Sequence, residues 1–477
     1  MIRTDDTDIL SKSATDLRAM IRDRTLGVEE LMRLTLARIE AVNGNLNAIV
    51  SLKEADALLD EARALDNAPD GGALHGLPIC IKDMANARGF PTTKGSPAFA
   101  TTIAETDDLF VARLRAAGVI VIGKSNVPEF ALGSHTYNPV HGATCNPYDS
   151  SVSSGGSSGG AAVALATGMV SVADGSDMMG SLRNPAGWTN VYGMRPSWGR
   201  VPAEPQGDTF LHALSTEGPM ARSPGDLALL LSVMSGPDPR QPFGLAGTQA
   251  ALTDLDPGQI RIGWLGDWGG AYPMEDGILE ICESACRTLA DIGCRVDAVP
   301  APFSRDALWD SWTTLRSWKM ASTLSGLRED PQTRDQLKPE AVWEIERGRA
   351  LRASDVHSAS VIRSDWFRTA AELFDHHDAL VLPTAQVWPF PMDWTWPRSV
   401  AGVAMDTYHR WMEATIPASL AGLPAIAMPA GFGTNGLPMG IQLIGRKGGD
   451  LRLLEIAELY HRQTGWPQKR PPTLSLA

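Results

Sequence analysis

"SSGGSSGGAA", Ser153 to Ala162, begins with eight consecutive residues that are only serine or glycine. Such composition fits a flexible tether, a phosphate cradle or the floor of an active site. The next stretch, "AAVALATGMVSVADG" from Ala161 to Gly175, is small and apolar, as expected of a helix or strand buried in a core. Glycines that open directly onto a buried element describe a built turn better than a tether.

The surrounding chain is ordinary for a folded protein. It has 477 residues, 43% hydrophobic and 20% charged, enough for one large domain or a few smaller ones. A formal charge of −13 argues against nucleic acid as a partner, because phosphate binding needs a basic face. The start, "MIRTDDTDIL", is acidic where an export signal carries positive charge. The small apolar stretch near Ala161 is too short to span a bilayer. The expectation is a cytoplasmic protein with no membrane partner. Five cysteines, Cys80, Cys145, Cys282, Cys286 and Cys294, are an odd number in a long chain and read as buried thiols. No histidine stands near them to complete a metal site.

Helical spacing dominates the first seventy residues. Ser13 caps a helix with Leu17, Met20 and Ile21 on one face, and "VEELMRLTLARIEAVNG" repeats the pattern up to Asn43-Gly44. "KEADALLDEARALD" continues as a third helix. From Gly76 the texture changes to short apolar runs bounded by Gly and Pro. "GLPICIKD" and "AAGVIVIGKSN" are buried-strand candidates, and "IRIGWLG", "CRVDAVPAP", "DALVLPTA" and "PMGIQLIG" are further strand candidates. The helical "DLFVARLRAAG" and a helix opened by Ser223, Pro224 and Asp226 lie between them. Such alternation predicts an α/β protein with a largely buried sheet. The expected organisation is one domain, with an N-terminal helical segment over 1–70, its core over 71–235 and the rest of the same domain over 236–477.

No lysine follows the serine-glycine run, so it is not a P-loop, and the polar "NPYDSSVSS" before it does not suit a dinucleotide turn. "GGSSG", Gly155 to Gly159, formally matches the nucleophile elbow, yet the required strand before it is missing. His376, His377 and His409 are lone downstream histidines. Lysine is the other available base, if desolvation lowers its pKa. Lys82 leaves the apolar run "GLPICIKD" at its tip, where it either serves that purpose or pairs with Asp83.

"GLPICIKD", "GGSSGG" and "DGSDMMGSLRNPAGWTNVYGMRPSWGRVP", in this order, resemble the amidase signature family. "GKSNVPEFALGS", "CNPYDSS", "GPMARSPGDLALLL", "LAGLPAIAMPAGF" and "GLPMGIQLIGR" extend the resemblance over nearly the whole chain. The resemblance implies a single large α/β domain with a central mixed sheet flanked by helices. It also implies amide hydrolysis by a Ser–Ser–Lys triad. By motif, Lys82 is the base, Ser157 the relay serine preceded by a cis peptide bond, and Ser181 the nucleophile that forms an acyl-enzyme. The backbone N–H groups of Met178, Met179, Gly180 and Ser181 correspond to the oxyanion hole. The substrate is a small-molecule amide, no metal or organic cofactor is implied, and a homodimer is the expected assembly.

The chain departs from the family where Met179 replaces a small residue and Ser176 replaces Thr, which places two flexible apolar side chains, Met178 and Met179, beside the nucleophile. Met179 and Tyr137, the latter in "ALGSHTYNPVHG", are the expected substrate contacts. Among fourteen tryptophans, Trp309, Trp312, Trp318, Trp388, Trp394 and Trp396 either wall an acyl pocket or anchor core and loops. Esters and carbamates present the same carbonyl to the nucleophile. A glutamyl-tRNA amidotransferase A-like subunit, releasing ammonia from glutamine, is the alternative function.

Overall fold

Ser13 accepts the Asp16 N–H at 3.0 Å and opens the helix Ala14–Arg22, whose Leu17 and Ile21 turn inward. The computed structural model describes residues 9–205 and 207–474. The next helix, Val28–Leu46, runs beyond the expected stop at Asn43-Gly44. The Asn43 side chain explains the extension: it accepts the N–H groups of Ala48 (3.0 Å) and Ile49 (2.9 Å) and steers the chain out only after Asn47, which is left-handed. A third helix, Ala55–Asp66, follows.

The chain then enters a three-stranded sheet formed by β1 (Ile49–Val50), β2 (Pro78–Lys82) and β3 (Ile120–Ser125) in the order β1-β3-β2. β2 and β3 run parallel, joined through the helix Leu109–Ala116, and every residue of both strands is buried. A short ribbon of β4 (Tyr137–Asn138) and β5 (Gly142–Ala143) precedes the serine-glycine loop.

"AAVALATGMVSVADG" proves to be two elements. It finishes the fully buried start of the helix Gly159–Ala166, turns at Gly168 (φ +71°) and becomes β6 (Val172–Asp177). The following strands are β7 (Tyr192–Arg195), β8 (Thr216–Ala221), β9 (Arg261–Trp264), β10 (Arg295–Ala298) and β11 (Ala379–Pro383). A small ribbon, β12 (Ser399–Val400) and β13 (Val403–Ala404), leads to β14 (Ala425–Phe432) and β15 (Pro438–Ile444). Eight of these form one mixed sheet in the order β10-β9-β11-β15-β14-β7-β8-β6. β9 lies parallel to β10 and β11, and the remaining neighbours are antiparallel.

Helices Pro224–Met234, Ile278–Ile292 and Asp450–Thr464 pack against this sheet, and a continuous apolar core joins both sheets to them. The helix Pro224–Met234 begins as its sequence predicts, with the Ser223 hydroxyl accepting the Asp226 N–H at 3.2 Å. The chain is thus a single α/β domain with a large central mixed sheet flanked by helices. Its functional consequence lies at one seam. The Lys82 N–H at the end of β2 donates to Asp174 Oδ1 of β6 at 2.9 Å, so the tip of the small sheet is tied to the edge of the large one.

Candidate active site

Lys82 ends β2 fully buried, yet it does not pair with Asp83. Asp83 accepts the Thr93 N–H at 3.0 Å and faces Lys124 Nζ at 3.6 Å. Lys82 Nζ instead donates to the hydroxyls of Ser157 (2.8 Å), Ser158 (2.9 Å) and Ser176 (2.9 Å), and to the Ser176 carbonyl at 3.3 Å. Hydroxyls can accept from an ammonium or donate to an amine lone pair, so this shell suits both protonation states. Burial pushes the Lys82 pKa down, against the pull of Glu217, Asp174 and Asp177.

Ser157 is fixed by the serine-glycine loop that opened the sequence. The peptide between Gly156 and Ser157 is cis, and Gly155 is left-handed (φ +79°). A side chain at Gly155 would meet Asn184 Oδ1 at 2.5 Å, so both the backbone angle and the space require glycine. The Ser134 hydroxyl donates to the Gly156 carbonyl and fastens the turn from behind.

Ser181 lies on the turn between β6 and the helix Arg183–Trp188. Asp177 organises that turn: its carboxylate accepts the N–H groups of Gly180 (2.9 Å) and Leu182 (3.2 Å). Arg183 binds the same carboxylate through Nε and Nη2, each at 3.0 Å, and Arg195 approaches it at 3.4 Å. Burial alone would raise this pKa, but the two guanidinium groups hold Asp177 far below the usual carboxylate range. The Ser158 N–H donates to the Ser181 carbonyl at 3.2 Å, which joins the two serine turns.

Ser157, Ser176 and Ser181 share the wall of a cavity of about 220 Å³. Met178 and Met179 line it beside Ser181, and Met84, Met320 and Met412 close it from other segments. Among the described residues, the N–H groups of Met178, Met179 and Ser181 have no acceptor, whereas that of Gly180 is taken by Asp177. Gly180, expected with the other three as an oxyanion donor, therefore has its N–H directed into the turn.

Tyr137 stands away from this wall. Its ring packs on His135 at 4.8 Å, with Lys338 Nζ 5.7 Å from its centroid. No tryptophan lines the cavity among the described residues; Trp312 is fully buried in the core. His409 is fully buried, and neither ring nitrogen has a hydrogen-bond partner. Ser158, Ser176, Glu217 and Arg316 reach the site although sequence reasoning assigns them no role there. Ser158 alone carries a strong local signal, as the second serine of "GGSSGG".

The amidase family model matches residues 30–454. An acylamidase of Rhodococcus erythropolis is 30% identical over 468 residues, spanning 96% of this chain and 97% of the relative. The A-type chain of the glutamyl-tRNA(Gln) amidotransferase of Chloroflexus aurantiacus is 33% identical over 494 residues, spanning 98% and 99%. The crystal structure of a bacterial aryl acylamidase of the amidase signature family superposes with a TM-score of 0.90 at 27% identity, covering 98% of this chain and 99% of that one. The chain belongs to the amidase signature family of amide hydrolases.

Proposed function

We propose that this enzyme hydrolyses small carboxylic amides with an apolar acyl group, through an acyl-enzyme on Ser181. Ser181 Oγ attacks the carbonyl carbon while its proton passes to Ser157 Oγ, and the Ser157 proton passes to neutral Lys82 Nζ. The N–H groups of Met178, Met179 and Ser181 take the negative charge that develops on the carbonyl oxygen. When the C–N bond breaks, the relay returns the proton to the departing nitrogen. Water then attacks the ester carbonyl by the same path, releasing the acid and restoring Ser181. Esters and carbamates offer an equivalent carbonyl and are expected as slower or comparable substrates.

One observation carries this reading: a fully buried lysine is bonded at 2.8 Å to a serine that shares a cavity wall with Ser181. The methionine-lined wall supports an apolar acyl half. Similarity to the amidotransferase chain favours a second reading, ammonia release from glutamine. The methionines suit an apolar acyl half better than the charged end of glutamine, and Arg316, a cation of that wall, is already paired with Glu344 at 2.6 Å, which favours the first.

A hydrolysis series tests both. Apolar acyl amides, aryl amides, carbamates and glutamine are compared with wild-type enzyme and Ser181→Ala. Turnover of apolar amides that disappears in Ser181→Ala is the expected result. Glutamine as the best substrate would move the assignment to the second reading.

A further inference from the structure

Glu217 stands on β8 directly across from Ser176 on β6 in the antiparallel register, and Ser176 holds Lys82 Nζ at 2.9 Å. Its side chain lines the catalytic cavity on one side. On the other it lines a second cavity of about 210 Å³, and Ser215 is likewise common to both walls. Trp198, Phe243, Glu204 and Asp208 complete much of the second cavity. Among the described residues, no hydrogen bond or ion pair reaches the Glu217 carboxyl. The nearest cation in charge terms is Lys82, whose Nζ is given to the hydroxyls of Ser157, Ser158 and Ser176; Arg316 pairs with Glu344 at 2.6 Å, and Lys94 lies over the Phe99 ring at 4.8 Å. Lys319 shares the wall of the second cavity with Asp208. The half-buried carboxyl is thus left facing the two cavities without a hydrogen-bond partner, and desolvation pushes its pKa up.

We infer that Glu217 is a specificity-determining residue, which binds an amino group carried on the amine half of the substrate, and that the second cavity receives this half. The inference rests on the Ser181 reading above, since that reading fixes how the scissile bond lies. The nitrogen that takes the relay proton must face the Ser157–Lys82–Ser176 cluster. Glu217 flanks that cluster through Ser176, so it borders the amine side of the bond. The apolar methionine wall takes the acyl side. An ammonium against Glu217 also neutralises the charge that otherwise helps to hold a proton on Lys82, so such a substrate favours the neutral base.

The test compares two amides of one apolar acid, the N-(2-aminoethyl) amide and its N-propyl isostere. The reading is the ratio of their kcat/KM values, taken for wild type, Glu217→Gln and Glu217→Asp. A charged hydrogen bond gives wild type a ratio of about ten to a hundred in favour of the amino amide. Glu217→Gln should bring that ratio down by about tenfold or more, with Glu217→Asp between the two. A wild-type ratio near one, or a ratio unchanged in Glu217→Gln while both rates fall together, would overturn the assignment. Ser181→Ala is run on both amides beside them. Hydrolysis surviving in Ser181→Ala would reject the nucleophile and leave the Glu217 ratio to be scored by itself.

Discussion

Lys82 Nζ lies 2.8 Å from Ser157 Oγ, while Asp83, the next residue, is turned away toward Lys124. Two adjacent charged residues at one strand tip thus belong to separate networks. Lys124 completes the ion pair that Lys82 would otherwise be expected to make. Lys82 is left with hydroxyls and one carbonyl in a buried place, and that burial lowers its pKa to about 8, so the neutral amine is reached at mildly alkaline pH.

The pH dependence follows from that arrangement. The base is the neutral amine, so activity rises with pH until Lys82 has lost its proton. Burial lowers the folded pKa, so the limb should lie below the ordinary lysine value and level off at mildly alkaline pH. Lys82→Ala should lower kcat by about 10²–10⁴ with an unchanged circular dichroism spectrum. Lys82→Arg should fail likewise, since guanidinium keeps its proton. A pH–rate profile of kcat/KM with these variants is the check; near-normal turnover of Lys82→Arg would make the lysine structural.

Asp177 should matter to stability and rate together. It is buried between Arg183 and Arg195 and fastens the N–H groups on both sides of Ser181. Asp177→Asn leaves two buried guanidinium groups uncompensated, at a cost of about 3–5 kcal/mol. Urea unfolding should show that loss. Activity of the folded fraction should also fall, because the turn that presents Ser181 loses its anchor.

Two glycine substitutions should move stability in opposite directions. At Gly160 a Cβ would lie 2.3 Å from the Asn126 nitrogen and 2.5 Å from the Ala48 oxygen, both backbone atoms that cannot swing aside. Gly160→Ala should destabilise by about 1–3 kcal/mol or prevent folding. Gly44, inside the helix Val28–Leu46, has nothing within 4 Å of the same point. Gly44→Ala should stabilise by about 0.5–1 kcal/mol. Thermal melts of the two variants decide it.

Much of this architecture is legible in sequence where periodicity is strong. The Ser13 and Ser223 helix starts and the strands carrying Lys82, Ile262, Val296, Val381 and Ile441 all follow from local pattern. β7, β8 and β14 do not stand out, because glycine or proline interrupts each run. Those interruptions are demanded by packing: a Cβ at Gly193 would meet the Leu182 oxygen at 2.2 Å, and one at Gly218 the Met194 oxygen at 2.2 Å. In β14 the register shifts between Pro429 and Gly431, which accommodates the proline.

The site divides in the same way. Lys82, Ser157 and Ser181 stand out through their motifs, whereas Glu217 is brought to the cavity by a strand pairing that local pattern does not carry. The oxyanion role expected of Gly180 leaves out Asp177, three residues earlier, whose carboxylate takes the Gly180 N–H.

Active-site labelling decides whether Ser181 is the nucleophile. Wild-type enzyme is treated with a fluorophosphonate, digested, and the modified peptide sequenced by mass spectrometry. One label per chain is expected on Ser181, slowed by Lys82→Ala and absent in Ser181→Ala. Stoichiometric labelling of Ser157, Ser158 or Ser176 instead, with Ser181 unmodified, would contradict it.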